Sequence, residues 1–480
     1  MNRQSLSKNF IFQFLYQGLI LAIPLVLSPY LTRTLKETAL GNYTFANSIA
    51  YYFVVFANLG ISRHGQRIIS QSSGESVKLR KEFWSLFTLH ALISLVSAFA
   101  YIVYVVVFVH AYKNIYYIEL MYVLSALFDI TWLFYGLENF KSVVIKNALV
   151  KVIECTLIFL LVKNPSDVGI YTAICAGGIL IGQAVMIPQA INTVKPIRFQ
   201  KEDLTKHFKP LLVFSVAVIA ATLYTVFDKT LLGILSSKED VAFYEYANRI
   251  IIVPRSIVSV VGTVMFPRAC RLAAEGDIAG QKKYINYSFL FTAFIGMGSI
   301  FGLLAIARLF AILYYGAPFA ICGNIMISLS PLVYIIGVGD ILRTQYMIPN
   351  GMDKQFNLCI VLNAVINIIL SVLLIPVIGV YGAVVGTVSA EMFGLFYQMA
   401  LCKKSIDIKD LFFSTMPFAL IGGVMYATIR ITARYLTGTL TGLIIEMITG
   451  LCIYCVLSAI YIFVYKKDIW QMILGKIRKV

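Results

Sequence analysis

Charged residues are scarce in this chain of 480 residues: Asp, Glu, Lys and Arg make up 13% of it, whereas hydrophobic residues make up 59%. About a quarter of the residues of a soluble protein are charged. The scarcity of charge therefore excludes a soluble protein of this length. The apolar residues are gathered in runs of about twenty, the length that spans the hydrocarbon core as a helix.

Histidine and long polar loops are scarce as well. The chain has four His, and no loop between the apolar runs has room for a nucleotide-binding or an extracytoplasmic catalytic domain. Cys452 and Cys455 form a C-x-x-C motif inside an apolar run, without His or charge beside them. This setting is typical of small buried side chains rather than of a metal or redox site. We therefore expect no enzymatic activity and no cofactor, with H⁺ or Na⁺ coupling left open.

The apolar runs predict α-helices, because every backbone N–H and C=O in lipid needs a partner within its own element. Runs such as 211–223 do not alternate in polarity, as the strands of a barrel would. The sequence predicts an all-α polytopic membrane protein with about fourteen transmembrane helices. The predicted spans lie near 9–33, 39–61, 84–109, 115–136, 143–163, 168–193, 208–235, 240–266, 284–310, 318–342, 355–376, 379–402, 411–435 and 440–465.

Basic residues are distributed unevenly between the loops, which predicts the orientation. Loops of one parity hold most of the Lys and Arg, including those near 63–81, 195–209 and 268–283. Both termini are therefore predicted to be cytoplasmic, and the net charge of +17 needs no nucleic-acid partner. The first apolar run is too long for a cleaved signal peptide and is predicted to be retained. The tail 466–480 is predicted to lie on the inner leaflet as a basic amphipathic helix.

Three segments of the N-terminal half recur in the same order in the C-terminal half. Residues 40–47 resemble 241–248 at an offset of 201, and 169–173 resemble 379–383 at 210; Asp129 with its neighbours resembles Asp340 with its own at 211. Each copy of the repeat has six helices. Because this number is even, both copies enter the membrane in the same orientation. Two such lobes can rock about a central cavity. The predicted domains are an N-lobe 1–193, a cytoplasmic linker 194–207, a C-lobe 208–402, helices 13 and 14 at 403–465, and the tail 466–480.

Proline and glycine lie inside several predicted spans, where they are suited to bending a helix. Pro24 and Pro29 are expected to interrupt helix 1, and Pro254 is expected to interrupt helix 8. Gly337 and Gly339 are expected to loosen helix 10. Each half thus has positions at which a rocking motion could be accommodated.

Several motifs resemble a known family. The stretch Phe227-Asp-Lys-Thr-Leu-Leu-Gly233, with Tyr244 to Arg249 after it, is similar to the hairpin of helices 7 and 8 in lipid-linked oligosaccharide flippases. Met265-Phe-Pro-Arg268 resembles the end of helix 8 in that family, and Trp132-Leu-Phe-Tyr-Gly-Leu-Glu138 resembles its signature between helices 4 and 5. This family is the polysaccharide branch of the multidrug/oligosaccharidyl-lipid/polysaccharide (MOP) exporter superfamily, which includes Wzx-type O-antigen flippases. The resemblance covers helices 1 to 12.

The resemblance implies a V-shaped pair of six-helix lobes and a flippase function. Such proteins carry an undecaprenyl-diphosphate-linked oligosaccharide repeat unit from the inner to the outer leaflet of the bacterial cytoplasmic membrane, by alternating access. The product is a surface polysaccharide, namely O-antigen, capsule or exopolysaccharide. The implied partners are this glycan, membrane lipids, a polysaccharide polymerase and a chain-length regulator. The segment 247–254 also resembles one in lipid II flippases, where a helix 8 arginine faces the cavity.

Charges inside the spans are the candidate site residues, because a charge in lipid is costly and needs a function or a partner. A diphosphate needs fixed positive charge, and a guanidinium stays protonated and offers several donors. Arg255 has no acid three or four residues away and is the first candidate for the diphosphate. Arg249, Lys229 and Arg33 follow, although Arg33 lies at a helix end where snorkelling explains it equally well. Further charges inside or near the spans are Glu391, Arg430 and Glu446.

Local pairing is the competing interpretation for several of these charges. Lys151 and Glu154 lie three residues apart, and Glu245 and Arg249 lie four apart, so each pair shares a helix face. The second pair lies at the same predicted depth as Asp228 and Lys229 on the preceding helix. The sequence therefore predicts either a cross-hairpin network that lines the cavity or a purely structural one. Lys151 and Glu154 are predicted to belong to the same cavity network, or to neutralise one another.

Asp129 and Asp340 occupy matching places in the two halves, near the predicted cytoplasmic ends of helices 4 and 10. A pair of gate residues is one interpretation, with Arg343 or a loop Lys as the counter-ion. Solvation at a helix end is the other.

Two other functions compete with the flippase. A multidrug or cation antiporter of the same superfamily would favour an acidic cavity, and the basic residues near the predicted midplane argue against it. A membrane polysaccharide polymerase, from another class, would be expected to carry a large extracytoplasmic loop or a cytoplasmic carboxylate cluster. Neither is present in the sequence.

Overall fold

A computed structural model describes residues 3–403 and 406–466, with the side chains of 3–17, 214, 216–221, 223–225, 408 and 411 left out of the description. In these ranges the chain is helical throughout and has no β-strand, which confirms the predicted all-α class. The helices, numbered in chain order, are α1 (Arg3–Thr34), α2 (Lys36–Asn58), α3 (Ile61–Ser72), α4 (Ser76–Phe108), α5 (Lys113–Ser125), α6 (Thr131–Gly136), α7 (Phe140–Leu161), α8 (Val168–Ala184), α9 (Ile187–Thr193), α10 (Lys201–Thr205), α11 (Phe208–Leu235), α12 (Lys238–Ala274), α13 (Ile278–Tyr315), α14 (Ile321–Leu329), α15 (Pro331–Ile341), α16 (Asp353–Ile378), α17 (Val380–Cys402), α18 (Ile408–Thr432) and α19 (Leu440–Tyr465).

Every predicted span coincides with one or two of these helices. In the described part of the chain, eleven helical stretches are long and apolar enough to cross a membrane, and 18–34 is a shorter apolar helix. The protein is therefore a multi-pass membrane protein. The number fourteen stays a prediction, as does the amphipathic tail, of which 467–480 lie outside the described residues.

Several helices continue beyond the apolar runs that predicted them. The helix α12 ends at Ala274, eight residues after the predicted span 240–266, and α13 extends from Ile278 to Tyr315. Charged and polar residues can continue a helix in water, because the backbone hydrogen bonds are the same there. The apolar run therefore defines the membrane crossing, whereas the helix bounds also depend on caps such as Asp277, whose side chain accepts a hydrogen bond from the N–H of Gly280.

The prolines do not interrupt their helices, and in this respect the sequence-based expectation was wrong. Pro24 and Pro29 lie inside α1, and Pro254 lies inside α12. Side chains accompany the proline turns of α1: Ser28 donates to the carbonyl of Pro24 at 2.5 Å, and Arg33 donates to that of Pro29 at 2.9 Å. The carbonyls that the missing proline N–H groups leave free lie four residues earlier, at residues 20 and 25. Membrane helices tolerate proline where neighbouring groups pair with such carbonyls.

Two predicted spans are not single, regular α-helices in the structure. The span 115–136 divides into α5 and α6 at Asp129, whose backbone is extended. The span 318–342 divides into α14 and α15 and then widens into a π-helix over Leu342–Met347. This widening follows Gly339 by three residues, close to the place where glycine was expected to loosen the helix. π-helical turns in proteins are frequently found at functional sites.

The chain forms two compact units, 1–242 and 243–480. The predicted division into lobes and a linker stays a prediction. In the first unit, α6 packs against α3 because two glycines permit close contact. A Cβ atom on Gly65 would lie 2.6 Å from the Trp132 ring, and one on Gly136 would lie 2.7 Å from Ile69. The Trp132 motif of the sequence thus forms part of a buried core.

In the second unit, α13 is the central helix and packs against α14, α15, α18 and α19. Its glycines again set the spacing: a Cβ atom on Gly296 would lie 2.8 Å from the Cβ atom of Tyr334. The hydroxyl of Tyr334 lies 2.9 Å from that of Thr415 on α18. Tyr454 of α19 donates to the carbonyl of Phe294 at 2.7 Å. The two C-terminal helices are therefore packed onto this unit by both apolar and polar contacts.

Candidate functional site

Two of the candidate charge pairs lie in salt bridges along their own helices. Lys151 Nζ is 2.6 Å from Glu154 Oε2 on α7, and Arg249 Nε is 3.0 Å from Glu245 Oε1 on α12. The guanidinium of Arg249 also lies over the ring of Tyr246, 4.4 Å from its centroid. The carboxylate and the ring hold the guanidinium in one orientation, which suits a positioned cationic group.

Arg255 has an acidic neighbour from another helix. The residue is half-buried on α12 and interacts electrostatically with Asp340 on α15. Asp340 also forms a salt bridge with Arg343, three residues along the chain. Arg343 in turn lies over the ring of Phe356, 5.3 Å from its centroid. Two guanidiniums thus act on one carboxylate, and we call Arg255, Asp340 and Arg343 the arginine triad.

Small residues bring the elements of the arginine triad together. A Cβ atom on Gly337 of α15 would lie 2.6 Å from Val258 of α12, so only glycine permits this approach. Further along, Gly262 faces Thr344 in the π-helix, whose hydroxyl would be 3.2 Å from an added Cβ atom. Arg255 lies three residues before Val258, close to this crossing. The two glycines therefore set the distance between the helices that carry the triad.

The charge of the arginine triad does not cancel. Two guanidiniums and one carboxylate leave one surplus positive charge, and an arginine does not deprotonate in proteins. A surplus charge between membrane helices is expensive unless a counter-ion or water accompanies it. The charge of the triad therefore suits an anionic group such as a phosphate, and the salt bridge with Asp340 positions Arg343.

Asp129, the counterpart of Asp340 in the sequence repeat, has different surroundings. Its carboxylate accepts hydrogen bonds from the N–H of Thr131 at 3.1 Å and from the hydroxyl of Thr131 at 2.6 Å. Its backbone carbonyl accepts from Trp132 Nε1 at 3.0 Å. These bonds stabilise the turn that begins α6. The gate role of Asp129 stays a prediction.

The other candidates lie apart from the arginine triad in the chain. Arg33 is exposed at the end of α1 and donates to the carbonyl of Pro29 within its own helix. Asp228 is buried on α11, where Lys229 is half-buried. Both belong to the first unit, whereas Glu245 and Arg249 belong to the second. The cross-hairpin network of these four residues stays a prediction.

Glu119 is a buried acid that the sequence reasoning missed. It lies on α5 with 1% of its surface exposed, and Asn47 Nδ2 of α2 donates to both of its carboxylate oxygens at 3.3 Å. Among the described residues, no Lys or Arg forms a salt bridge with it. The signal was present in the sequence, because an acid in an apolar run is a functional candidate by default.

The remaining acids inside the spans are distributed over the second unit. Glu446 of α19 is buried and interacts electrostatically with Arg430 of α18, whereas Glu391 of α17 is half-buried. Within the described part of the chain, no group of three or more His, Cys, Asp or Glu residues is arranged to hold a metal ion.

A polar cluster lies at the predicted cytoplasmic end of the first unit. His207 Nδ1 is 3.1 Å from His64 Nε2, and His207 Nε2 is 3.2 Å from both Glu82 Oε2 and Ser85 Oγ. Burial lowers the pKa of His207, because the charged imidazolium is the form that burial penalises, although Glu82 opposes this shift. A neutral His207 accepts a hydrogen bond at Nδ1 and donates one at Nε2, which fits its neighbours.

Acidic and basic side chains attach the segment before α11 to α4. Asp203 lies 2.9 Å from Lys81, and Glu82 lies 2.7 Å from Lys206. The pKa of Asp203 is lowered, first by the hydrogen bond from the N–H of Gln200 and then by the bond to Lys81. These charges hold α10 beside the beginning of α4.

Comparison with known proteins identifies relatives over most of the chain. The family model "Polysaccharide biosynthesis protein" matches residues 6–273. A "Putative O-antigen transporter" of Shigella dysenteriae is 24% identical over 405 residues, which are 83% of this chain and 100% of that protein. A protein of the same name from Escherichia coli (strain K12) is 20% identical over 395 residues, 81% of this chain and 95% of the relative.

Several solved structures have a fold similar to that of this chain. The lipid II flippase MurJ in an inward closed conformation has a TM-score of 0.75 at 18% identity, over 95% of this chain and 98% of that one. The Vibrio cholerae MATE transporter VcmN in its bent form has a TM-score of 0.50 at 14% identity, over 86% and 99%. At these identities the likeness shows the fold alone.

Proposed function

Because the chain belongs to the polysaccharide biosynthesis protein family, as its motifs predicted, we propose that it is a flippase for lipid-linked oligosaccharides. It moves an undecaprenyl-diphosphate-linked repeat unit from the inner to the outer leaflet of a bacterial cytoplasmic membrane, for the synthesis of a surface polysaccharide. Both relatives carry the name "Putative O-antigen transporter", which supports this assignment.

The arginine triad is the observation that carries the proposal. A cargo with a diphosphate needs a positive charge that is present at every stage of transport, and a guanidinium provides it. The surplus charge of Arg255 and Arg343 over Asp340 matches an anionic head group. A multidrug antiporter would take cationic cargo, which this charge would repel.

Alternating access is the mechanism that we propose for the movement. The cargo head group enters from the predicted cytoplasmic side, pairs with the arginine triad and leaves toward the outer leaflet, while the lipid tail stays in the bilayer. In this mechanism the repeat unit crosses the membrane without chemical change.

Complementation of a bacterial strain that lacks its own repeat-unit flippase tests this function. The strain should carry the glycosyltransferases of this protein's host, so that the matching repeat unit is made. The wild-type chain should restore surface polysaccharide on an immunoblot, and Arg255→Ala should not, although its membrane abundance is unchanged. Arg255→Lys should restore part of the signal if charge is the main requirement.

Arg271→Ala is the matched control, because this arginine is exposed and pairs with Glu275 at 3.0 Å near the end of α12. It should behave as the wild type. In the deletion strain and in the Arg255→Ala strain, the lipid-linked repeat unit should accumulate in membrane extracts. Failure of the wild-type chain to restore polysaccharide, with the repeat unit made and the protein present, would overturn the proposed function.

A further inference from the structure

A layer of polar side chains crosses the interior of the first unit at one depth. Glu119 on α5, Tyr43 on α2, Cys175 on α8 and Glu154 on α7 each lie six or seven residues from one end of their helix. At 1.5 Å per residue this is about 9–11 Å from the helix ends. All four ends point to the predicted extracytoplasmic side. We call these residues, with Asn47 and Lys151, the polar layer.

The members of the polar layer interact with one another in sequence from α2 to α7. Asn47 donates to both oxygens of Glu119, and Glu119 interacts electrostatically with the hydroxyl of Tyr43. Tyr43 interacts in turn with the thiol of Cys175, which interacts electrostatically with Glu154. The interactions thus connect the two carboxyl groups through a hydroxyl and a thiol.

One carboxyl group of the polar layer is paired with a basic side chain, whereas the other is hydrogen-bonded to a neutral one. Glu154 is paired with Lys151 at 2.6 Å, and the lysine side chain is 37% exposed. Glu119 is 1% exposed and accepts hydrogen bonds from the neutral amide of Asn47. In the described residues, two carboxyl groups therefore share one ammonium group. The fully ionised layer would carry one surplus negative charge inside the membrane.

A surplus carboxylate in the membrane interior is neutralised by uptake of a proton, because desolvation penalises the charged form most. A sodium ion would need several oxygen ligands around it. Asn47 instead directs its N–H toward both carboxylate oxygens, so these oxygens face a hydrogen-bond donor. The contacts therefore favour a proton over a metal ion.

An open cavity lies at the predicted extracytoplasmic end of the first unit. It has a volume of about 710 Å³, and its wall includes Thr38 and Asn42 of α2, Ile115 of α5 and Gly169 of α8. Ile115 lies one turn before Glu119 on the same helix face. A cavity of this size holds water, which brings a source of protons to within about one helical turn of Glu119 along α5.

We propose that Glu119 is a proton-binding site loaded from the extracytoplasmic side, and that transport by this protein is coupled to that proton. The coupling rests on the proposed flippase function, whereas the proton site does not. On loading, one proton from the cavity water forms an O–H bond with the Glu119 carboxylate. The neutral acid can then donate to a neighbouring oxygen, which changes how α5 binds to α2.

The groups that face Glu119 from the surrounding helices do not titrate near physiological pH, so Glu119 is the group that takes up the proton. Tyr43 approaches from α2, Tyr101 from α4 and Tyr122 from α5 itself. Phenols and thiols are neutral at physiological pH. The nearest basic group of the layer, Lys151, is already paired with Glu154.

Infrared spectroscopy of the purified full-length protein tests the proton site directly. At neutral pH and without sodium, the wild type should show the carbonyl band of a protonated carboxylic acid, and Glu119→Gln should lack part of that band. Glu275→Gln, at an exposed position, should match the wild type. Identical spectra for the wild type and Glu119→Gln would overturn the proton site, as would a band that sodium chloride abolishes and potassium chloride does not.

The complementation strain tests the coupling. Glu119→Gln, which mimics the permanently protonated form, should reduce surface polysaccharide to the level of the deletion strain at normal protein abundance. Glu119→Asp keeps a titratable group and should restore part of the signal, which also controls for folding. Wild-type polysaccharide with Glu119→Gln would overturn the coupling while leaving the flippase function intact. Failure of the wild-type chain itself would instead overturn the flippase function, and the infrared result would still decide the proton site.

Discussion

The guanidinium of Arg343 pairs with the carboxylate of Asp340 across the junction at which α15 becomes a π-helix. In a regular α-helix, residues three apart lie on one face, and this pair forms where the regular helix ends and the π-helix begins. The pair thus ties the last α-helical turn to the first π-helical turn. Arg255 of α12 acts on the same carboxylate.

Asp340→Asn should destabilise the protein by more than the loss of a single ion pair, because Asp340 interacts with two arginines. Without the carboxylate, two guanidiniums lose their shared counter-charge, and an unpaired buried charge is strongly destabilising. We expect a lower melting temperature in detergent and a loss of surface polysaccharide in the complementation strain.

The double variant Asp340→Asn/Arg343→Gln restores the original charge of the triad and serves as the control for this prediction. It should recover part of the lost melting temperature. If the single variant is as stable as the wild type, the carboxylate of Asp340 does not stabilise the two arginines, and the arginine triad does not form.

Gly178→Ala should destabilise the first unit. A methyl group at this position of α8 would lie 2.8 Å from Cγ and 2.9 Å from Cδ of Glu154, which is buried against it. Overpacking of this kind costs about 1–3 kcal/mol, so the melting temperature should fall.

Gly423→Ala is the matched substitution in α18, where an added Cβ atom meets nothing within 4 Å. Alanine favours a helix over glycine by up to about 1 kcal/mol, so this variant should be as stable as the wild type or slightly more so. An equal loss in both variants would mean that the contact between Gly178 and Glu154 does not matter.

The stability of the protein should fall between pH 7 and pH 5 partly because of His207. Burial lowers its pKa in the folded state, whereas the unfolded chain titrates near pH 6.5. The stabilisation is therefore present above about pH 6.5 and is lost as the pH falls, since the unfolded chain then binds a proton that the folded one resists. Melting temperatures measured across this range should decline less steeply for His207→Gln.

His110→Gln is the control for the pH experiment, because His110 is exposed. Its decline should be parallel to that of the wild type. If His207→Gln also declines in parallel with the wild type, neutral His207 contributes nothing to the pH dependence.

Reporter fusions test the orientation predicted from the basic loops. Fusions after Ser70 in α3 and after Glu275, beyond α12, should give a cytoplasmic signal from a fluorescent protein and none from alkaline phosphatase. An extracytoplasmic signal at either position would contradict the predicted topology and, with it, the external loading of Glu119.

Much of the helical architecture is predictable from the sequence, because length and apolarity suffice to define a membrane helix. The ion pairs Lys151–Glu154 and Glu245–Arg249 are predictable for a related reason: their spacing along one helix decides the contact. The bounds of α12 and α13 are less so, since polar residues continue both helices beyond the apolar runs.

Contacts between helices were harder to predict. The sequence repeat matches Asp129 with Asp340, yet Thr131 follows the first at two residues and Arg343 follows the second at three. The first therefore forms a turn and the second a salt bridge. The partner of Arg255 and the setting of Glu119 depend on which helices are adjacent, and apolar periodicity carries no information on that.

The attachment of residues 194–207 to α4 bears on how the protein could be divided in the laboratory. Trp84 donates to the carbonyl of Val194 at 2.9 Å, and Arg80 donates to the carbonyls of Lys195 and Pro196 at 2.7 and 2.8 Å. Further along the same segment, Asp203 pairs with Lys81 and Lys206 pairs with Glu82. Two half-proteins made from separate genes and divided between residues 196 and 203 would separate Asp203 and Lys206 from their partners on α4, and they would assemble only after re-forming these ion pairs.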